Sequence, residues 1–283
     1  MSDAARSGRN ARERLDEALV ARGLAETRSQ ARALIMAGQV RIGGQRADKA
    51  GMPVPVGKPI EVVGGGRFVS RGGEKLQAAL DRFAVDPTGL VCADLGASTG
   101  GFTDCLLQAG AAKVFAVDVG YGQLHWRLRQ DARVVVIERQ NARYLEELPE
   151  PVALVVVDVS FISLALIFPV MARILVAGGR AITLVKPQFE AGREAVGKGG
   201  VVRDPATHRA VLAQAIADAR GAGFAVMGLM PSPLRGPAGN IEFLAHLQLG
   251  VADTSDAEAL IEAAMAEVQS REGGQPAEGE AEE

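Results

Sequence analysis

The chain has 283 residues, 48% of them hydrophobic and 23% charged, which suits two globular domains at about 150 residues each and excludes collagen-like, disulfide-rich and wholly disordered classes. Aromatics make up only 4%, so Ala, Val, Leu and Ile must supply the core. The net charge of −3 hides a gradient: fourteen Lys and Arg against eight Asp and Glu over residues 1–75, sixteen of each over 76–252, and one against ten over 253–283.

A basic head suits a polyanionic partner, although solvated helix faces give the same bias. Residues 1–13 are polar and expected to fray. They carry no apolar stretch of a signal peptide. From Arg14 the pattern is helical, with Leu15, Ala18 and Leu19 on one face. Thr27 or Ser29 can cap a second helix whose stripe is Ala31, Leu34 and Ile35, ending at Gly38. Strand-like pieces follow at 39–42 and 60–63, with Gly43-Gly44 as the turn between them. Residues 14–63 therefore form a first domain, and 64–69, with the hinge Gly64-Gly65-Gly66, form a linker.

Residues 70–252 alternate strands and helices. Strands are expected at 90–94, 113–118, 134–138, 153–158, 181–186, 224–229 and 241–247, with helices such as 103–109, 164–175 and 205–219 between them. This predicts an α/β fold, a Rossmann-like doubly wound parallel sheet preceded by a small α+β domain. A further helix over 253–269 and a disordered acidic tail over 270–283 close the chain. The greasiest region, 161–177, is broken by Pro169 and Arg173. No membrane segment is expected, and the location expected is cytoplasmic. Cys92 and Cys105 lie in apolar stretches without metal-ligand spacing, so buried reduced thiols and no metal site are expected.

The segment Asp94-Leu95-Gly96-Ala97-Ser98-Thr99-Gly100-Gly101-Phe102 runs from a strand into a helix, where doubly wound sheets bind ligands. Its glycine spacing misses the dinucleotide fingerprint, and Asp94 would repel a phosphate. A carboxylate there favours the cationic amino-acid end of S-adenosylmethionine, and Asp118, one strand later, suits ribose hydroxyls. Gly192 to Gly199 nearly spells a phosphate-binding loop but has Gly199 where Ser or Thr should hold magnesium. Two strand ends carry isolated charges, Asp158 and Lys186. A structural ion pair closing the sheet edge is one reading. A desolvated lysine able to take a proton from a sugar hydroxyl is the other. By composition alone, Lys75 and Glu242 are surface charges.

Taken together, these motifs resemble a known family. Residues 14–63, with Arg14-Leu15-Asp16, Gly23-Leu24-Ala25, Ser29-Gln30-Ala31-Arg32 and Ala37-Gly38-Gln39-Val40-Arg41-Ile42, resemble the S4-type RNA-binding domain. Residues 67–247 look like the FtsJ-type methyltransferase fold. The combination resembles the TlyA (hemolysin A) family of ribosomal RNA 2′-O-methyltransferases. Ser70-Arg71-Gly72-Gly73-Glu74-Lys75-Leu76 and Val185-Lys186-Pro187-Gln188-Phe189-Glu190 are its other specific motifs. The resemblance implies a catalytic tetrad of Lys75, Asp158, Lys186 and Glu242. It implies a methyl-donor site of Asp94, Gly96, Ser98, Gly100, Gly101, Phe102, Asp118 and Asp158, with Asn141 at the adenine. Arg14, Arg28, Arg32, Arg41 and Arg71 are expected to bind RNA. The implied reaction methylates a ribose 2′-hydroxyl, cytidine being favoured, in ribosomal RNA within ribosomal subunits, by a monomer using S-adenosylmethionine. The alternatives are a non-catalytic RNA-binding or ribosome-assembly factor, which would not need the four charged groups, and a haemolysin, which would need a membrane-active segment.

Overall fold

The structure is a computed structural model that describes residues 12–25, 27–62 and 67–273. Strand β1 (Arg12–Arg14) leads into helix α1 (Leu15–Ala21), which buries Leu15, Ala18 and Leu19. Helix α2 (Arg28–Met36) buries Ala31, Leu34 and Ile35 against it. Thr27 is its cap, Oγ1 accepting from the Gln30 N–H at 3.1 Å. Gly38, at φ +71°, turns the chain out. Strand β2 (Val40–Ile42) pairs antiparallel with β3 (Gln45–Arg46). Strand β4 (Pro53–Pro55) pairs with β1, and β5 (Ile60–Val62) with β2.

Three expectations change here. Gly43-Gly44 closes a hairpin onto Gln45–Arg46 rather than joining β2 directly to β5, because a two-residue strand leaves no alternation to read. Arg12 and Glu13, expected to fray, are held in the ladder with Pro55 and Val54. The Gly64-Gly65-Gly66 hinge lies outside the described residues. Phe68 and Val69, assigned to the linker, are buried in the second domain's core.

The second domain opens with α3 (Gly72–Phe83), whose inner face is Leu76, Ala79 and Leu80. There follow β6 (Val91–Leu95), α4 (Gly101–Gln108), β7 (Lys113–Asp118), the short α5 (Trp126–Arg129), β8 (Val134–Glu138) and β9 (Val152–Val157). Next come α6 (Phe168–Ile174), β10 (Leu175–Val185), α7 (Pro187–Glu190) and α8 (Pro205–Gly221), the last capped by Asp204 with Pro205 in its first turn. Strands β11 (Phe224–Pro231) and β12 (Phe243–Leu249) and helix α9 (Ala257–Gly273) complete it. Residues 270–273, expected in the tail, belong to α9, and 274–283 lie outside the described residues.

The seven strands lie in the order β11-β12-β10-β9-β6-β7-β8. Successive side chains enter opposite cores. Ala93, Phe115 and Val155 face α6, α8 and α9, while Cys92, Val114 and Leu154 face α3 and α4. The chain reverses direction across the sheet between β6 and β9, which opens a crevice at their carboxyl ends. The sheet is mixed rather than wholly parallel. β12 runs antiparallel to both β10 and β11, a polarity that hydrophobic alternation does not encode. That reversal puts the start of β12 at the same edge as the ends of β9 and β10, with Phe243 opposite Val185.

In the first domain Asp16 is fully buried beneath arginines. It accepts from Arg14 (3.0 Å), Arg28 (3.1 Å) and Arg32 (3.2 Å), and these guanidinium groups, Arg14's first, hold its carboxyl well below the usual range. A depressed folded value gives stability above the ordinary carboxylate value that is lost as pH falls through the folded one. Asp16→Asn is expected to cost about 1–2 kcal/mol at neutral pH. The gap to wild type should narrow as pH falls below about 5. Urea midpoints measured across that range check both the size and the sign.

Candidate active site

Two cavities open at the carboxyl edge of the sheet. The larger, of about 750 Å³, is walled by Gly96, Ser98, Asp118, Asn141 and Asp158, with Ile162 and Leu166 among its apolar lining. The chain after β6 can bend this way because Gly96 takes φ +89° and Ser98 φ +49°. A Cβ on Gly96 would stand 2.7 Å from the Asp158 carbonyl oxygen, so this strand end and that of β9 touch through backbone alone. Asp118 stiffens the loop, accepting from the Ser98 and Gly120 N–H groups, each at 2.7 Å. Each oxygen keeps a second lone pair for a hydroxyl. Asn141 caps a 3₁₀ turn, its Oδ1 accepting from the Arg143 N–H at 3.0 Å.

Four expected donor-site residues do not line the larger cavity: Gly101 and Phe102 line only the smaller one, and Gly100 and Asp94 line neither. Asp94 is fully buried under the loop. Its Oδ2 accepts from the Thr103 N–H (2.9 Å) and Oγ1 (2.7 Å), while Oδ1 has no partner among the described residues. Burial, reinforced by the charges of Asp158 and Asp118, pushes its carboxyl up to about 7. Gly100 also sits behind the wall, where a Cβ would strike Leu128. The volume, the carboxylates of Asp118 and Asp158 and the apolar flank fit a nucleoside-bearing methyl donor such as S-adenosylmethionine.

The smaller cavity, of about 240 Å³, is lined by Lys75, Asp158 and Lys186, with Arg71, Gly101 and Phe102. It shares Gly96, Ser98, Asp158 and Ser160 with the larger one, so one wall separates two chambers. Lys186, 9% exposed, stands 2.6 Å from Asp158 Oδ1 and donates to Ser160 Oγ at 2.9 Å. The Asp158 contact is an ion pair off the hydrogen-bond line, since that oxygen has no aligned donor. Lys75 is 7% exposed and meets Glu242, 1% exposed, at 2.5 Å. Burying Lys75, Lys186 and Glu242 is costly unless each is paired, and with the part-exposed Asp158 they form two pairs. Lys75 reaches the cavity because α3 and α4 approach glycine to glycine. A Cβ on Gly101 would stand 2.2 Å from Ser70 Oγ and 2.9 Å from the Gly73 nitrogen. Glu242 precedes β12 rather than lying within it, and the reversed strand delivers it behind Lys75.

Of the expected RNA contacts, Arg14, Arg28 and Arg32 converge on Asp16 with about half of each side chain exposed. Arg41 is exposed on β2, and Arg71 donates to the Arg235 carbonyl at 2.7 Å beside the smaller cavity. Sequence reasoning passes over Ser160, which touches Lys186, and Asn240. Asn240 is buried, accepts from the Val202 N–H and donates to the Gly200 carbonyl, pinning the glycine-rich segment to the strand that follows Glu242. A buried amide flanking a motif carries no composition signal; only its two long-range bonds identify it.

Residues 68–249 match the FtsJ-like methyltransferase family, and residues 13–60 match the S4 domain. The 16S/23S rRNA (cytidine-2′-O)-methyltransferase TlyA of Mycobacterium tuberculosis is 50% identical over 242 residues, 84% of this chain and 90% of its own. Hemolysin A of Brachyspira hyodysenteriae is 43% identical over 239 residues, 82% of this chain and 98% of its own. A solved Streptococcus thermophilus structure that carries the name hemolysin matches with a TM-score of 0.71 at 45% identity, covering 93% of this chain and 98% of that one. No helix among the described residues is long and apolar enough to cross a membrane. Identity at this level, extending through both the small basic domain and the two-chambered sheet edge, makes the chain a member of the TlyA family of FtsJ-like methyltransferases.

Proposed function

We propose that the chain methylates the 2′-hydroxyl of a cytidine in ribosomal RNA, with S-adenosylmethionine as donor and an assembled ribosomal subunit as substrate. The observation that carries this reading is the shared wall. A cavity large enough for the donor adjoins a small one lined by two buried lysines, and Asp158 belongs to both. S-adenosylmethionine supplies an electrophilic methyl group on a sulfonium when bound. Asp118 and Asn141 would orient its nucleoside part, and Asp158 would face its positive end.

In the smaller cavity Lys186 acts on the acceptor. There Lys186 Nζ, held by Asp158 and Ser160, takes the 2′-hydroxyl proton or stabilises the developing alkoxide as the oxygen becomes nucleophilic. Lys75, its charge balanced by Glu242, stabilises negative charge developing on the oxygen. Only RNA offers a 2′-hydroxyl, so the chemistry itself selects the nucleic acid. The arginines around Asp16 contact phosphates and orient the RNA without reading bases.

Lys186→Ala is expected to lower methyl transfer by roughly 10²–10⁴-fold while leaving donor affinity nearly unchanged. Tritium transfer to subunits lacking the modification, with the label recovered in an alkali-resistant dinucleotide, reads the first, and calorimetry reads the second. Full activity in that variant removes the tetrad from the mechanism, and label on a base changes the reaction class.

Gly96→Ala should cost more than about 1 kcal/mol in stability, because alanine resists that backbone angle. It should also weaken donor binding, since its Cβ must displace the Asp158 carbonyl. Calorimetric titration with S-adenosylhomocysteine, beside thermal unfolding, separates the two effects.

Arg28→Ala with Arg32→Ala should weaken RNA binding and flatten its salt dependence, by about 0.7–0.9 in log–log slope for each phosphate that the protein no longer neutralises. An unchanged affinity at every salt concentration would clear this cluster of any RNA role.

A further inference from the structure

The smaller cavity is not built by the methyltransferase domain alone. Met36, Ala37 and Arg46 of the S4 domain line it together with Arg71, Lys75 and Lys186. The two domains touch nearby, where Ser29 Oγ donates to the Gly122 carbonyl at 3.0 Å. Within the cavity the charges are unevenly balanced. Lys75 and Lys186 have carboxylate partners, and Arg235, also on the rim, is paired with Glu272. Arg46 and Arg71 form no ion pair among the described residues, and Arg71 spends one N–H on a carbonyl.

Arg46 is also held in a costly place. It stands directly across the β2–β3 hairpin from Arg41, and like charges in that register destabilise a strand pair. Arg41 has Glu61 opposite it on its other side, whereas Arg46 is at the sheet edge with no third strand beside it. Its guanidinium lies against Gly38, where a Cβ would come within 2.2 Å of Nη2. The φ of +71° already requires glycine there, and the arginine end resting against it has no protein anion to meet among the described residues. An exposed planar fork with no carboxylate partner among the described residues suits a tetrahedral oxyanion with two oxygens to offer.

We propose that Arg46 and Arg71 grip the phosphodiester adjoining the acceptor ribose, so that the S4 domain supplies part of the acceptor site itself. This rests on the reading of the acceptor as an RNA ribose. Arg46 acts here as a positioning residue. The two-point hold on the phosphate fixes the 2′-oxygen opposite Lys186, and the residue takes no part in the proton transfer.

The experiment compares wild type with Arg46→Ala and Arg46→Lys in methyl transfer to ribosomal subunits lacking the modification, from low to high salt. Donor affinity and melting temperature are measured on the same preparations. Arg46→Ala should lose about tenfold or more in kcat/KM for the subunit, the scale of one charged hydrogen bond. Its salt slope should be shallower by about 0.7–0.9. Donor affinity should hold, the melting temperature should hold or rise with the Arg41 repulsion relieved, and Arg46→Lys should recover part of the rate at low salt, where a point charge still attracts the phosphate. Unchanged kcat/KM and slope in Arg46→Ala overturn the assignment. So does a loss accompanied by a fallen melting temperature or donor affinity, which marks Arg46 as a structural support. A wild-type chain that transfers no methyl to either subunit overturns the methyltransferase reading first, and that result differs from an active wild type beside an equally active variant.

Discussion

Asp158 joins the parts of this site through three separate contacts. Its backbone N–H donates to the Leu95 carbonyl at 3.0 Å, carrying the β6–β9 ladder one residue past the strands. Its carbonyl oxygen lies so close to Gly96 that no other residue type fits there unstrained. Its carboxylate faces Lys186 and borders both chambers. One residue at the topological switch point therefore sets the distance between the Gly96 loop and Lys186. Movement of β9 relative to β6 would alter both chambers together.

Around that point the fold uses close backbone approach where a larger enzyme could use side chains. Gly72 and Gly73 meet Gly101, and Gly96 meets Asp158, so α3, α4 and the strand ends pack with almost nothing between them. Tight packing leaves the lysines little freedom, which lowers the entropy cost of aiming them. It also buries the Lys75–Glu242 pair, whose attraction strengthens in a low-dielectric setting provided neither partner is removed.

Much of this is legible in the sequence, for identifiable reasons. The strands at 113–118 and 134–138 match residue for residue because each is an apolar run bounded by charges, and buried parallel strands look like that. The Thr27 cap and the Asp204-Pro205 helix start are visible because capping needs particular side chains at particular positions. Helix α3 escapes notice because its first turn is Gly-Gly and its apolar face is short. Asp158 and Lys186 announce themselves as charges after apolar strands. Lys75 and Glu242 lie 167 positions apart and become partners only through the reversed strand, so family resemblance rather than residue chemistry points to them. Asp94, at the end of an apolar strand, suggests a ligand contact in the sequence, and the fold buries it under its own loop, bonded to Thr103.

Helix α9 changes what counts as the catalytic module. It buries Ile261, Ala264, Met265 and Val268 against the sheet's outer core. Its last turn also reaches the segment carrying Glu242, with Arg271 donating to the Ser232 carbonyl at 2.9 Å and Glu272 paired with Arg235. The span that matches the FtsJ-like methyltransferase family ends at residue 249, eight residues before this helix begins. A fragment cut to that span would bare an apolar stripe and free the loop behind Lys75. The boundary of the methyltransferase match and the boundary of the packed core thus differ by one helix, and an expression fragment or domain fusion has to follow the second.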